Sequence, residues 1–140
     1  MTSLRLYKKE KLRSLTAIER LFSPRSVPAD PPVVSIMAYP WRVVWTVNPH
    51  RTSVAQFLIT VPKKRLRHAV DRVQMRRRCR EAYRLNRHLL PSPCPGIDIA
   101  FIYVANAVTP YHKTQRSMTR MLSSITHAVS PAATPDETDC

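Results

Sequence analysis

The spacing of hydrophobic residues changes along the chain, and each change marks an element of secondary structure. Leu15, Ile18, Leu21 and Phe22 recur at the spacing of one helix face, which predicts a first helix. Residues 24–32 contain four prolines and no periodic hydrophobic pattern. Because proline lacks a backbone donor and restricts the residue before it, we interpret this stretch as a loop.

Three runs rich in β-branched and aromatic residues follow, at residues 33–37, 41–47 and 54–61. Residues 48–53, between the second and third runs, are typical of a turn, so we expect an antiparallel meander. Successive side chains of a strand point to opposite faces. In the middle run, Val43, Trp45 and Val47 therefore share one face, and Arg42, Val44 and Thr46 share the other.

The remaining pattern predicts a helix, a buried strand and a final helix. Residues 69–90 are rich in helix formers, and residues 97–104 alternate in the manner of a strand. The final helix is expected from Thr109 to Val129. The order α-β-β-β-α-β-α predicts a single-domain α/β sandwich over residues 1–130, with residues 131–140 as a disordered tail. The hydrophobic stripe of the second helix is Met75, Cys79, Ala82 and Leu89.

Charge restricts the function classes. The 140 residues include 23 Lys and Arg but 9 Asp and Glu, for a net charge of +14, which favours a polyanionic partner. No run approaches the roughly 20 apolar residues of a membrane-spanning helix, so we expect no membrane partner. The amino terminus lacks the hydrophobic segment of a secretory signal, and the three cysteines form no C-x-x-C pair. We therefore expect a cytoplasmic protein that binds nucleic acid.

Nearly half of the basic residues lie between Lys63 and Arg87, with Asp71 and Glu81 as the acidic residues there. Arginines at a spacing of four on a helix repel one another, so the arrangement does not stabilise the free protein. Arginine suits phosphate because its planar fork can bind two oxygens. We expect contacts with RNA or DNA from Lys63, Lys64, Arg65, Arg67, Arg72, Arg76, Arg77, Arg78, Arg80 and Arg84.

The same segment resembles the signature of the bacterial ribonuclease P protein. The shared features are a strand that ends in a paired-lysine turn, an Ala-Val pair, a basic run and an Arg-Glu-Ala-Phe-Arg-like motif. Here the family's Arg-Asn-Arg is replaced by Arg72-Val73-Gln74, and the glycine usual after the lysine pair is missing. The resemblance covers roughly residues 5 to 127. The matching residues are Lys63-Lys64, Ala69-Val70, Arg76-Arg77-Arg78 and Arg80-Glu81-Ala82-Tyr83-Arg84.

The resemblance implies an α/β sandwich with a left-handed crossover. It also implies a protein component of ribonuclease P, a subunit of an endoribonuclease, which binds the catalytic RNA subunit 1:1. That enzyme removes the 5′ leader of precursor transfer RNA (tRNA) by endonucleolytic cleavage, to give the mature 5′ end. Ile18, Phe22, Val43 and Trp45 match the family's leader-binding cleft between the first helix and the sheet.

The resemblance further implies that no catalytic residue lies on this chain and that Mg²⁺ is held mainly by the RNA subunit. The sequence agrees, because its carboxylates are dispersed and its histidines show no metal-ligand spacing. Three alternative functions are also considered. A ribosomal or other structural RNA-binding protein would share the size and charge. A DNA-binding regulator would need amide side chains on the recognition helix, and a protein-only nuclease would need clustered carboxylates.

Overall fold

A computed structural model describes residues 11–12, 15–22, 33–48, 55–90 and 96–129. The predicted loop at 24–32 and the predicted tail at 131–140 lie outside these residues. Among the described helices, none combines the length and apolarity that a membrane crossing requires. The elements are α1 (Leu15–Phe22), β1 (Val34–Ala38), β2 (Trp41–Val47), β3 (Ala55–Thr60), α2 (Ala69–Asn86), a 3₁₀ turn (Arg87–Leu89), β4 (Ile97–Tyr103) and α3 (Tyr111–Val129).

The four strands form one mixed sheet in the order β1-β2-β4-β3. β1 and β2 form an antiparallel hairpin, and β2 is also antiparallel to β4. β3 pairs in parallel with β4, with α2 as the connection between them. The predicted α/β sandwich and element order are confirmed, but the predicted three-stranded meander is wrong. β4 enters between β2 and β3, so β3 becomes an edge strand.

The main core lies on the sheet face that packs against α2 and α3. β4 contributes alternate residues Ile97, Ile99, Phe101 and Tyr103, all fully buried. Helix α3 buries Met118, Met121, Leu122 and Ile125 against them, and α2 buries Met75, Cys79, Ala82 and Tyr83. Full burial of a large hydrophobic side chain stabilises a fold by about 1.5–3 kcal/mol. This face therefore carries most of the stability.

Helix α1 packs on the opposite face of the sheet. Ala17 and Leu21 of the helix and Leu12 before it pack against Val44 of β2 and Ala100 of β4. Val44 and Ala100 are register partners, so their side chains share this face. The second core is small, and α1 forms one wall of an open surface.

Both long helices are shorter than the sequence predicts. Helix α2 ends at Asn86, whose side-chain amide donates to the Ala82 carbonyl at 2.8 Å and to Gln115 Oε1 at 2.9 Å. Helix α3 begins at Tyr111, two residues after Thr109, and the Thr109 carbonyl accepts a hydrogen bond from Arg78 of α2. Polar contacts thus join the end of α2 to α3, and α2 to the loop that precedes α3.

A buried polar contact joins β2 to α3, because the indole Nε1 of Trp41 donates to Thr114 Oγ1 at 3.1 Å. Thr114→Val should lower the free energy of unfolding by about 1–3 kcal/mol, since it leaves the buried indole donor unpaired. Thr119→Val, at an exposed position of the same helix, is the matched control. Denaturant unfolding should place the control much closer to wild type. Equal losses would contradict the role of the Trp41 contact.

Candidate nucleic-acid interface

Helix α2 has a buried side and a basic side. Met75 and Cys79 pack into the core, while Arg76 and Arg80, one position further round the helix, border the edge strand β3. Positions four residues apart lie on one face, so the two guanidinium groups are neighbours. One helix therefore packs against the sheet and presents charge beside it.

A groove runs along this border. Its apolar floor comes from the edge strand β3. Its basic rim comes from α2 and from Lys11, which lies four residues before α1. The backbone N–H of Leu12 donates to the Phe57 carbonyl at 2.9 Å, which fixes Lys11 beside β3. Lys11 could not be identified from the sequence, because its position depends on this long-range bridge to Phe57. The lining residues are Lys11, Leu12, Phe57, Leu58, Ile59, Arg76 and Arg80.

Some of the predicted RNA-binding arginines are bound to the protein itself. The Arg72 guanidinium donates to the carbonyl oxygens of Leu66 and Arg67, at 2.9 Å each. Arg65 donates to the Asn106 side chain at 3.1 Å. Arg78 donates to the Thr109 carbonyl. These three arginines hold the loops around α2, a role that the sequence pattern did not reveal.

Arg84 forms an exposed ion pair with Glu81, with an N–O distance of 2.6 Å. The hydrogen bond from Arg84 is the main cause that lowers the pKa of the Glu81 carboxyl, so both groups stay charged at neutral pH. Arg84 is therefore a locally neutralised member of the predicted set.

The other members of the predicted set carry uncompensated charge. Within the described part of the chain, no hydrogen bond or ion pair engages their side chains, and most of them are exposed. Cations that find no carboxylate in their own protein keep their full attraction for an external anion. These residues are Lys63, Lys64, Arg67, Arg76, Arg77 and Arg80.

The paired-lysine turn precedes α2. The Pro62 carbonyl accepts hydrogen bonds from the backbone N–H groups of Arg65, at 2.9 Å, and Leu66, at 3.2 Å. The Leu66 side chain is buried, which anchors the turn while Lys63 and Lys64 project into solvent. A shallow basic depression results, continuous with the start of α2.

The predicted cleft between α1 and the sheet requires a correction. Val43 and Trp45 lie on the opposite face, in the main core under α2 and α3, at 0% and 4% exposure. Alternation along β2 was predicted correctly, but the wrong set of alternate residues was assigned to the cleft. Ile18 and Phe22 do lie on the α1 side, with Phe22 45% exposed.

The sheet residues that face α1 lie on the opposite face from Val43 and Trp45. Val44 and Ala100 are buried under the helix, and Leu58 and Ile102 are half-buried beside it. Leu58 also lines the groove beside Arg76 and Arg80, so the two surfaces meet at β3. Period-two alternation could have identified Val44, and the rest depends on the strand order.

The acidic and thiol groups are separate from one another. Across the described ranges, no three His, Cys, Asp or Glu side chains are grouped as a metal site would require. Asp98 is fully buried and accepts a hydrogen bond from the Asn48 amide at 3.0 Å. Burial raises the pKa of the Cys79 thiol well above its ordinary value, although the neighbouring Arg80 acts in the opposite direction. Cys79 is a core residue.

Two solved structures share this fold. The RNase P protein from Thermotoga maritima superposes with a TM-score of 0.63 at 19% identity, over 82% of this chain and 96% of that one. The Staphylococcus aureus RNase P protein gives 0.62 at 18% identity, over 83% of this chain and 94% of that one. At these identities the likeness concerns the fold.

Sequence comparison is more specific. The chain is 35% identical over 108 residues to the ribonuclease P protein component of Porphyromonas gingivalis. The aligned region covers 74% of this chain and 79% of that protein. The component from Idiomarina loihiensis is 34% identical over 76 residues, or 52% of this chain and 58% of that protein. The family model for ribonuclease P matches residues 6–126. With most of its length matched in this way, the chain belongs to the ribonuclease P protein family.

Proposed function

We propose that this chain binds the catalytic RNA subunit of ribonuclease P through the basic face of α2 and the paired-lysine turn. The observation that carries the proposal is the uncompensated charge of Arg76 and Arg80 beside the β3 groove, with Arg77 exposed on the same helix. Each phosphate bound would release condensed counterions, which converts an arrangement of mutually repelling cations into affinity. Lys63 and Lys64 extend the same surface at the start of α2.

Arg65, Arg72 and Arg78 act indirectly in this proposal. Their hydrogen bonds to Asn106, to the 66–67 carbonyls and to Thr109 fix the loops that carry or flank the free cations. Rigid placement lowers the entropic cost of ordering the side chains on binding. The predicted basic set therefore divides into positioning residues and phosphate-binding residues.

The 5′ leader of precursor tRNA is proposed to lie on the α1 side of the sheet. Phe22 offers an exposed aromatic ring, and Ile18, Leu58 and Ile102 offer half-buried apolar surface near it. Stacking of bases on aromatic rings tolerates any sequence, which suits a leader that varies between substrates. The cleft and the α2 face meet at β3, so the leader and the catalytic RNA can be held next to each other.

Leader cleavage is assigned to the RNA subunit. Hydrolysis of a phosphodiester is assisted by metal ions that stabilise the attacking and leaving oxygens. We propose that Mg²⁺ bound mainly by the RNA supplies this chemistry. This chain contributes charge neutralisation and substrate position, in a 1:1 complex in the cytoplasm.

The α2 interface is tested by charge removal. Arg76→Gln with Arg80→Gln should weaken binding to the catalytic RNA and flatten the salt dependence by up to about 0.9 log units per lost phosphate contact. Glu81→Gln with Arg84→Gln is the matched control, because it removes an ion pair whose charges already cancel. Filter binding across a salt series measures both effects. An unchanged slope for the double variant, or an equal loss for the control, would place the interface elsewhere.

The cleft is tested with aromatic residues. Phe22→Ala should weaken binding of leader-bearing precursor by about 1–3 kcal/mol, because one stacking contact with the leader is lost. Binding of mature tRNA, which has no leader, should change much less. Tyr39→Ala removes an exposed ring at the β1–β2 turn and should leave the difference between the two RNAs intact. Competition binding with both RNAs is the measurement. Equal losses for precursor and mature tRNA would exclude Phe22 from leader binding.

Trp45 is expected to act on stability and not on the leader. Trp45→Ala should lower the free energy of unfolding by about 3–5 kcal/mol, as truncation of a buried aromatic residue does. Under conditions in which the variant remains folded, its preference for precursor over mature tRNA should match wild type. A selective loss of precursor binding, without a change in stability, would contradict the placement of Trp45 in the main core.

A further inference from the structure

Helix α3 has a basic stripe on the side that faces away from the sheet. Lys113, Arg116 and Arg120 are exposed and lie on one helix face, because their spacings are three and four residues. The opposite side of the helix is fully buried through residues such as Met118 and Leu122. The stripe is therefore held rigidly by the main core.

The stripe is uncompensated. Helix α3 contains no acidic residue, and within the described residues no hydrogen bond or ion pair engages the side chains of Lys113, Arg116 or Arg120. Lys113 also lies in the first turn, where the positive end of the helix dipole disfavours a cation. Mutual repulsion and the dipole both oppose this placement, so it does not serve the stability of the free helix.

The stripe is separate from the α2 interface. Helix α3 packs against β1 and β2, whereas α2 packs against β3. Asn86 of α2 contacts Gln115 of α3, and Arg78 contacts Thr109 in the loop before α3, while Arg76 and Arg80 lie on the side of α2 that borders β3. Between the two basic surfaces, Glu81 binds Arg84 near Tyr111. The protein thus presents cations in two directions.

We propose that the basic stripe of α3 is a second RNA-binding surface, which contacts the phosphate backbone of an RNA duplex distinct from the RNA held by α2. The three cations span about 10 Å along the helix axis at 1.5 Å per residue, a length over which a rigid rod can meet successive phosphates. Thr119 and Ser123 flank them, and the stripe contains no Phe, Tyr or Trp for base stacking. Recognition of backbone without stacking is typical of duplex RNA.

An anionic membrane surface fits the stripe less well. Membrane-bound amphipathic helices insert an apolar face, and the apolar face of α3 is already occupied by the sheet and α2. RNA needs no such insertion. This inference rests on the proposed function in one respect, since the second duplex is held in addition to the RNA on α2.

The test uses a short RNA duplex as the probe. Lys113→Gln, Arg116→Gln and Arg120→Gln are combined in the full chain, alone and together with the Arg76→Gln and Arg80→Gln pair. The combined α3 variant should weaken duplex binding and flatten its salt dependence by up to about 0.9 log units per lost contact. The effect should persist in the α2 background, where the α2 surface no longer competes for the probe.

Single substitutions separate a specific surface from general charge. Arg116→Gln and Arg42→Gln each remove one exposed arginine, from α3 and from the α1 side of the sheet respectively. Arg116→Gln should change the salt slope for the duplex more than Arg42→Gln does. The charge-preserving set Lys113→Arg, Arg116→Lys and Arg120→Lys should retain the wild-type slope.

An unchanged slope in the α3 variant, or equal effects of Arg116→Gln and Arg42→Gln, would overturn the second surface. A different result would contradict the proposed function: the Arg76→Gln, Arg80→Gln variant would bind the catalytic RNA as tightly as wild type. Matching thermal unfolding of the variants and wild type would show that the exposed α3 substitutions act on binding and not on folding.

Discussion

Because β3 and β4 run in parallel, the chain must return along the length of the sheet between them, and α2 makes this crossing. The crossing requires α2 to bury Met75, Cys79 and Tyr83 against the sheet. It also places α2 beside the edge strand β3. The face of α2 next to the buried one is therefore not covered by another of the described strands. The position of Arg76 and Arg80 beside β3 follows from this packing.

The positions of the uncompensated cations on and around α2 therefore depend on hydrogen bonds made by neighbouring arginines. Arg72 and Arg78 use their guanidinium groups on backbone carbonyl oxygens, and these bonds join α2 to the loops at its start and beside α3. A loop carbonyl that accepts such a bond is held in place by a charge-assisted contact. Chemically identical residues on one helix thus have two roles, decided by which carbonyls are within reach.

Local periodicity predicted the elements well and their arrangement less well. The strands at β2 and β4 and the stripe of α2 follow from alternation within a few residues. The strand order depends on pairings between distant segments, which local patterns do not encode, so the predicted meander was wrong. Val43 and Trp45 were assigned to the cleft from the family resemblance, although both pack under α2 and α3. Alternation alone does not say which face of β2 meets α1. The basic segment was recognisable from charge and motif, but the division of its arginines required the fold.

We propose that this chain assists an RNA enzyme and does not cleave RNA itself. The most direct test of this proposal is leader removal from a precursor tRNA at low Mg²⁺, with the protein alone, the catalytic RNA alone and the two mixed. We expect no cleavage by the protein alone, little by the RNA alone, and rapid release of the leader from the mixture. Cleavage by the protein alone, or a mixture no faster than the RNA alone, would contradict it.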